Sequence, residues 1–272
     1  MNGPVASAAT RAAPDRLKLP AVTLCAVTSV NVAATLAAVE CCISQIQFGA
    51  VVILTDADLS PPDPEIRVVA IPRICSAEDY STFMIKSLHA YVETSHCLVV
   101  QWDGHVLSAG RWRPEFLDYD YIGARWPQFR DGADVGNGGF SLRSRRLLDA
   151  CATGDLPYAH PEDLAICRAY RRQLEEQGLR FAPPDVADRF STERAGLLRD
   201  SFGYHGVFNM PRALGAERFW RLYRSLDSRG SVVPDFWAIL FQVARGTRGW
   251  RRAALLILHR LRAARPVRWV LR

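Results

Sequence analysis

The sequence predicts an α/β fold, a sheet flanked by helices, on three observations. Short runs rich in Val, Ile and Leu alternate with longer segments whose apolar residues recur every three or four positions. Clusters of Gly, Pro, Asp and Ser punctuate them as turns. At 272 residues, 49% hydrophobic and 23% charged, the chain is long enough for one large domain with a full core, or for a domain with an appendage.

Taken in order, residues 1–19 carry small residues, Pro and scattered charge without the continuous apolar stretch of a secretory signal, and are expected to form a disordered leader. Residues 21–27 (AVTLCAV) read as a first strand, after which Leu36, Val39, Ile43 and Ile46 fall on one helical face. Residues 51–54 are a second strand, and residues 66–71, after the turn-forming SPPDP, a third. Ser76-x-x-Asp79 resembles a capping box and opens a helix carrying Tyr80, Met84, Leu88 and Tyr91. Residues 97–101 form the fourth strand, which leads into Asp103.

Asp103 poses a physical question, because an apolar strand that buries an unpaired carboxylate incurs a large desolvation cost. The carboxylate must sit at the strand's mouth or meet a cation. In an open α/β sheet, ligands lie beyond the carboxyl ends of the strands, and polar residues gather there: Thr28, Ser29 and Asn31, then Thr55 and Asp56, then Asp103. Thr28 to Asn31 serve equally well as helix-capping residues, and Asp56 as a loop cap. No Gly-x-Gly-x-x-Gly follows the first strand and no Walker sequence occurs, so dinucleotide and P-loop sites lack their phosphate cradle.

The second half adds three clusters. In VGNGGFSLR, three Gly in four positions let backbone approach a ligand closely or turn sharply. In HPED, Pro161 fits a first helical position, with Glu162 and Asp163 in the first turn of a helix that carries Leu164, Cys167, Tyr170 and Leu174 and closes at Gly178. Two carboxylates there complement the helix dipole, which also favours the ionised form that a general base acting on a sugar hydroxyl requires. In SFGYHG, a Gly-flanked His205 can reach a metal or a phosphate. One Asp and one distant His make a sparse metal site, which Mg²⁺ or Mn²⁺ tolerates when diphosphate oxygens and water complete the octahedron.

The stretches EDYSTFMIKSL, VVQWDGHVL, DYIGARW, VGNGGFSLRS, PEDLAICR, LRFAPPDVADRFSTE and FGYHG together resemble a bacterial glycosyltransferase-like family of GT-A type, catalogued as a domain of unknown function. The resemblance covers about residues 20–210 and implies a GT-A-like, Rossmann-like mixed sheet in a domain of residues 20–215. It implies transfer of a sugar from a nucleoside-diphosphate sugar to a hydroxyl of a glycan or lipid-linked acceptor, with inversion. Donor contacts fall to Thr28, Asn31, Asp56, Lys86 and Asp103, and acceptor contacts to Asn137, Gly138 and Gly139. Asp103 and His205 would hold Mn²⁺ or Mg²⁺, and Asp163, ahead of Glu162, would be the base. Where GT-A enzymes have a strand-end Asp-x-Asp, this chain reads Gln101-Trp102-Asp103, which keeps one carboxylate and leaves an inactive scaffold binding nucleotide-sugar or glycan as the alternative.

Charge is unevenly placed. Residues 236–272 hold nine Arg and no Asp or Glu, so the +6 net charge belongs to a basic tail and the preceding residues are net acidic. With no zinc-finger, helix-turn-helix or RNP-like pattern, nucleic acid is not an expected partner. Seven Cys without a Cys-x-x-Cys pair read as buried thiols in a reducing cytoplasm. Residues 216–272 are expected to be a helical, Arg-rich extension. Trp250, Ala254, Ile257, Leu258 and Leu261 share one helical side, and Arg248, Arg251, Arg252, Arg262 and Arg265 lie largely off it. Either this helix packs on the core with a basic face to solvent, or it docks on the anionic inner face of the cell membrane with Trp250 and Trp269 at the interface. In the second case a membrane-apposed assembly factor is a further alternative to an enzyme.

Overall fold

The computed structural model describes residues 16–157 and 160–263. Four aliphatic runs pair in parallel at its centre: β1 (Leu17–Val27), β2 (Ile46–Thr55), β3 (Ile66–Ala70) and β4 (His96–Val100). Between them run α1 (Val32–Ile43) and α2 (Ala77–Lys86). β1 starts earlier than the sequence predicts: Leu17, Lys18 and Leu19, expected in the leader, pair with Ile46, Gln47 and Phe48. The same pairing takes Ile46 into β2 rather than onto the preceding helix. Residues 1–15 of the expected leader lie outside the described residues.

The chain continues through β5 (His105–Val106), β6 (Tyr121–Ile122), β7 (Ala124–Arg125), β8 (Val135–Gly136) and β9 (Phe140–Ser144). β9 runs antiparallel between β4 and β6, giving a mixed six-stranded sheet of order β3-β2-β1-β4-β9-β6. Both faces are covered, as strand alternation requires. Leu24, Ala26, Ile53, Leu98 and Val100 face one core with Phe116, Phe140, Phe190 and Phe202. Their neighbours Cys25, Val27, Leu54, Cys97 and Val99 face the other, with Met84 of α2 and Leu88. Five of the seven cysteines are buried, and all seven are free thiols.

The cap of α2 forms as its sequence predicts. Ser76 Oγ accepts the Asp79 N–H at 3.0 Å, and Asp79 Oδ2 accepts the Cys75 N–H at 3.1 Å. The helix is shorter than its apolar spacing implies, for residues 88–91 form a separate 3₁₀ turn. After β9 come α3 (Arg145–Thr153), α4 (Glu162–Leu164), α5 (Arg171–Glu176) and α6 (Pro184–Phe190), then β10 (Ser191–Thr192) and β11 (Gly203–Tyr204). Pro161 is the residue before α4 rather than within it, and residues 165–169 form a π-helical turn, so the expected single helix is broken in its first third.

The remaining helices are α7 (Met210–Leu214), α8 (Ala216–Ser225), α9 (Phe236–Ala244) and α10 (Gly249–Ala263). They pack as a layer on the sheet domain: Phe219, Tyr223, Phe236, Ile239 and Leu256 share a core with Ala34 of α1 and with Tyr204. Asn31 ties the layer down. Its side chain donates to Ser228 O at 3.0 Å and accepts the Ser228 N–H at 2.9 Å.

Arg248, just before α10, and Arg251 and Arg262 within it are exposed, but the apolar stripe that packing on the core would bury is exposed as well. Leu256 and Arg252 point inward, Arg252 pairing with Glu217 of α8, while Trp250, Ala254, Ile257, Leu258 and Leu261 are exposed. An apolar stripe specifies a helix face but not which neighbour it meets, and here the smaller patch around Leu256 meets the core. Arg265 and Trp269 lie outside the described residues.

Asn31 has a left-handed backbone, φ 56°, which Gly also adopts freely. Asn31→Gly therefore removes only the side-chain link to Ser228, and is expected to lower stability by about 1–3 kcal/mol for the buried groups left unpaired. Urea unfolding of the two proteins measures this.

Candidate functional site

The parallel registers bring the carboxyl ends of β1, β2, β3 and β4 to one rim, where Val27 pairs with Leu54 and Thr55 with Ala70. Because β9 is antiparallel and Phe140 pairs with Val100, the preceding turn Asn137 to Gly139 arrives at the same rim. A second small sheet, β10-β11-β5, completes the convergence. Thr192 lies opposite Tyr204 and Tyr204 opposite His105, so the residues following them, Glu193 and His205, are drawn beside Gly104 and Asp103.

The result answers the question posed by Asp103. It is 6% exposed and meets a cation: His205 Nε2 lies 3.3 Å from Asp103 Oδ1, and His205 Nδ1 lies 3.4 Å from Glu193 Oε1. Burial by itself would lower the imidazole pKa, but the two carboxylates outweigh it and raise the value to about 10, so His205 is an imidazolium at neutral pH. Glu193 shows the reciprocal effect. Burial opposes its ionisation, yet hydrogen bonding and attraction to His205 hold its pKa below the ordinary value.

Asn137 Nδ2 lies 3.2 Å from His205 Nδ1, and Asn137 Oδ1 accepts the Gly139 N–H at 3.1 Å. The two glycines are explained by what crowds them. A Cβ on Gly138 would stand 1.8 Å from Glu162 Oε1, and one on Gly139 would stand 2.1 Å from His205 Nε2. The Gly-rich turn is thus wedged between the carboxylates of α4 and the His205 cluster.

Glu162 and Asp163 have different environments. Glu162 Oε1 accepts from Arg143 Nη2 at 3.1 Å in a pair that is almost wholly buried. Arg143 also donates to Ser141 Oγ and Gly138 O. Among the described residues Asp163 accepts only backbone N–H groups, from Leu164 at 2.8 Å and Gly138 at 3.3 Å. Its pKa is raised to about 6, first by burial and then by the Glu162 charge, against those two hydrogen bonds and Arg143. This reverses the expectation that the helix dipole stabilises the ionised form: α4 is a single turn running into the π-helical segment, and burial outweighs its dipole.

A pocket of about 430 Å³ opens at the strand ends. Thr28, Ser76, Ala77, Tyr80 and Trp102 line it, and Ser231 from the helical layer closes one side. Gln101 links it to the charged cluster, its Nε2 donating to Tyr80 Oη at 2.9 Å and its Oε1 lying 3.3 Å from His205 Nε2.

Of the residues the sequence singles out, the structure gathers Asp103, His205, Asn137, Gly138, Gly139, Glu162 and Asp163 into one constellation, with Thr28 on the adjoining pocket. Asn31 is spent on Ser228. Asp56 is exposed at the end of β2 and does not line the pocket. Lys86 stands at the opposite end of α2 from the pocket, about 14 Å along the axis at 1.5 Å per residue. It donates to Cys151 O at 3.2 Å and Gly154 O at 2.8 Å, capping the end of α3. Two participants were not predicted, Glu193 and Arg143. Both lie within stretches that carry the family resemblance, but no spacing marks them.

As placed, Asp103 and His205 face each other rather than a shared ion. Among the described residues no group of three or more His, Cys, Asp or Glu could hold one. Asp103 and Glu193 engage opposite nitrogens of the imidazole, so the three side chains do not converge on a point.

A pocket at the carboxyl ends of a mixed α/β sheet, next to buried acids and a charged histidine, is the candidate ligand site. Residues 65–205, about half of the chain, match the family described as "Protein of unknown function (DUF5672)", and the chain belongs to that family. Among solved structures it is similar to the mannosyltransferase PcManGT from Pyrobaculum calidifontis in complex with GDP-Man and Mn²⁺, at 14% identity and a TM-score of 0.40, over 92% of this chain and 79% of that chain. No curated protein matches.

Glu162→Gln leaves the Arg143 charge buried without its counterion and is expected to destabilise the fold by about 3–5 kcal/mol. Asp163→Asn breaks no ion pair but turns one of the two acceptor oxygens into an amide donor facing a backbone N–H, and is expected to cost a smaller amount, about 1–3 kcal/mol. Parallel thermal melts distinguish the two.

Proposed function

We propose that this protein is a nucleotide-sugar-dependent glycosyltransferase in which Asp163 is the general base. One observation carries the reading: a carboxylic acid with its pKa raised to about 6 sits on the same polar rim as the strand-end pocket, joined to it through the turn Gly138-Gly139, His205 and Gln101. A base for a sugar hydroxyl works best with a pKa near the working pH, which burial supplies here. The donor's nucleoside would occupy the pocket between Thr28, Tyr80 and Trp102. Its diphosphate would face the amino terminus of α2 and the His205 imidazolium.

In the reaction the acceptor oxygen attacks the anomeric carbon in line with the departing diphosphate. One C–O bond forms as the other breaks, the hydroxyl proton passes to Asp163, and the nucleoside diphosphate leaves, so that the configuration inverts. Glu162, held by Arg143, positions the turn at Gly138 and keeps a negative charge beside Asp163 that raises its basicity. The second reading, a scaffold that binds nucleotide-sugar without turnover, is favoured by Gln101. The position where GT-A enzymes carry the first carboxylate of Asp-x-Asp is here an amide committed to Tyr80 and His205.

The α9 and α10 surface supports attachment to the inner face of the cell membrane. Among the described residues no helix is long and apolar enough to cross a membrane. Phe241 is 67% exposed and Trp250 70%, on helices from a region with nine Arg and no carboxylate. Each Arg near an anionic surface contributes roughly 1 kcal/mol, and Trp suits the interface.

A thermal-shift screen of UDP- and GDP-sugars, with and without Mn²⁺ or Mg²⁺, is expected to give a donor-specific rise in Tm. Release of nucleoside diphosphate from that donor supports the enzyme, and binding without release supports the scaffold. A shift that requires the cation would show His205 yielding Asp103 to a metal.

With acceptor present, Asp163→Asn should reduce the rate by about 10²–10⁴-fold with donor binding preserved. Since the base must be ionised, kcat/KM of the parent should fall as pH drops through about 6 and be level above it. An unchanged acid limb in Asp163→Asn would remove this residue from the role.

Anionic vesicles should sediment the intact protein at low salt and release it at high salt. The pair Trp250→Ser and Leu261→Ser, both at exposed positions, should abolish sedimentation without moving the melting temperature.

A further inference from the structure

A second cavity, of about 440 Å³, lies in the helical layer away from the rim. Its walls are apolar, built from Val232, Val233, Phe236 and Leu256, and its edge carries Arg229, Arg260 and Arg262. Two of these guanidiniums lie against aromatic rings, Arg229 at 5.2 Å from the centre of Tyr223 and Arg260 at 4.5 Å from that of Phe236. Their protein hydrogen bonds go to carbonyls: Arg229 donates to Tyr223 O and Arg224 O, and Arg260 to Val233 O. Among the described residues no carboxylate forms a salt bridge with any of the three. His259, hydrogen-bonded to Tyr223 at 3.0 Å, lines the same cavity. Its pKa is lowered by burial and then by the charges of Arg229 and Arg262.

An apolar cavity edged by unneutralised guanidiniums matches a molecule with an apolar chain and an anionic end. A bare anion would leave the apolar walls without a partner, and a neutral hydrocarbon would leave the positive edge without one. We propose that this cavity is a binding site for an anionic amphiphile, its phosphate on Arg229, Arg260 and Arg262 and its chain against Val232, Phe236 and Leu256. The site goes beyond the transferase reading and does not depend on it, although the two cavities share a partition. In the turn Gly230–Val232, Gly230 and Val232 line this cavity while Ser231 lines the strand-end pocket.

The test uses the intact protein and dodecyl phosphate below its micelle concentration, followed by calorimetry. One equivalent is expected to bind, with inorganic phosphate and neutral dodecyl maltoside each at least roughly tenfold weaker. Val233 is 49% exposed, so Val233→Glu puts a carboxylate at the cavity edge without disturbing the core. It should weaken dodecyl phosphate by roughly tenfold or more, as should Arg260→Gln with Arg262→Gln, while the nucleotide-sugar response is unchanged. Equal binding of the maltoside or of inorganic phosphate would overturn the proposal, as would undiminished binding by Val233→Glu. The same Val233→Glu sensitivity on vesicles containing a phosphomonoester lipid would identify a bilayer lipid as the source, and sensitivity only with the dispersed compound a carried one. Either upholds the site. Loss of the nucleotide-sugar response alone bears on the transferase reading and leaves this one standing.

Discussion

The imidazolium of His205, held between Asp103 and Glu193, is the interaction on which the rim of this molecule depends. Each of the three residues follows a different strand, and none could be buried in its ionised form alone. Together they satisfy one another's charge and fix where the ends of β4, β10 and β11 lie. The Gly-rich turn before β9 then has one way to enter, with glycine where Glu162 and His205 approach. The buried pair of Arg143 and Glu162 secures the far side of that turn. Two separate charge clusters therefore position one backbone segment, and Asp163 inherits its place from them, while its raised pKa comes first from burial and then from the Glu162 charge.

Sheet topology explains why residues so far apart in sequence share this rim. The parallel strands deliver their carboxyl ends, as in any doubly wound sheet, and supply a pocket but little acid or base. Reversal of β9 adds the turn at residues 137–139, and the small sheet β10-β11-β5 adds Glu193 and His205. The chemistry thus comes from the elements that depart from the parallel plan. The helical layer contributes the remaining wall through Ser231, which makes the residues after 215 part of the pocket rather than an adornment of it.

The parallel strands were legible in the sequence because β-branched and aliphatic runs bounded by turn residues leave few alternatives, and the cap of α2 because Ser76 and Asp79 have the spacing that satisfies free N–H groups. Asp103, His205 and the paired carboxylates were legible as residues out of keeping with their surroundings. Glu193 was not, since it stands in a polar stretch where a glutamate is unremarked and only strand pairing with β11 reveals its neighbour. Arg143 was hidden because an arginine in a short strand ordinarily points to solvent. Lys86 misled for the opposite reason: a lysine in the last turn of a helix suits both a free charge and a cap for neighbouring carbonyls, and spacing does not separate them. α10 misled because helical periodicity defines a stripe, whereas the direction the stripe faces is decided by tertiary packing.

The two hydrogen bonds between Asn31 and Ser228 span 197 residues of sequence. During synthesis the sheet strands β1 to β4 emerge long before their partner, so a growing chain can form the sheet and still lack the wall that Ser231 supplies. The pocket therefore matures late, after the helical layer has reached back across the molecule to a residue made near the outset. A nascent or partly degraded chain without that closure would keep much of its core and have an open-sided pocket. Closure of the pocket's last side therefore requires the chain to be present and folded as far as the helical layer.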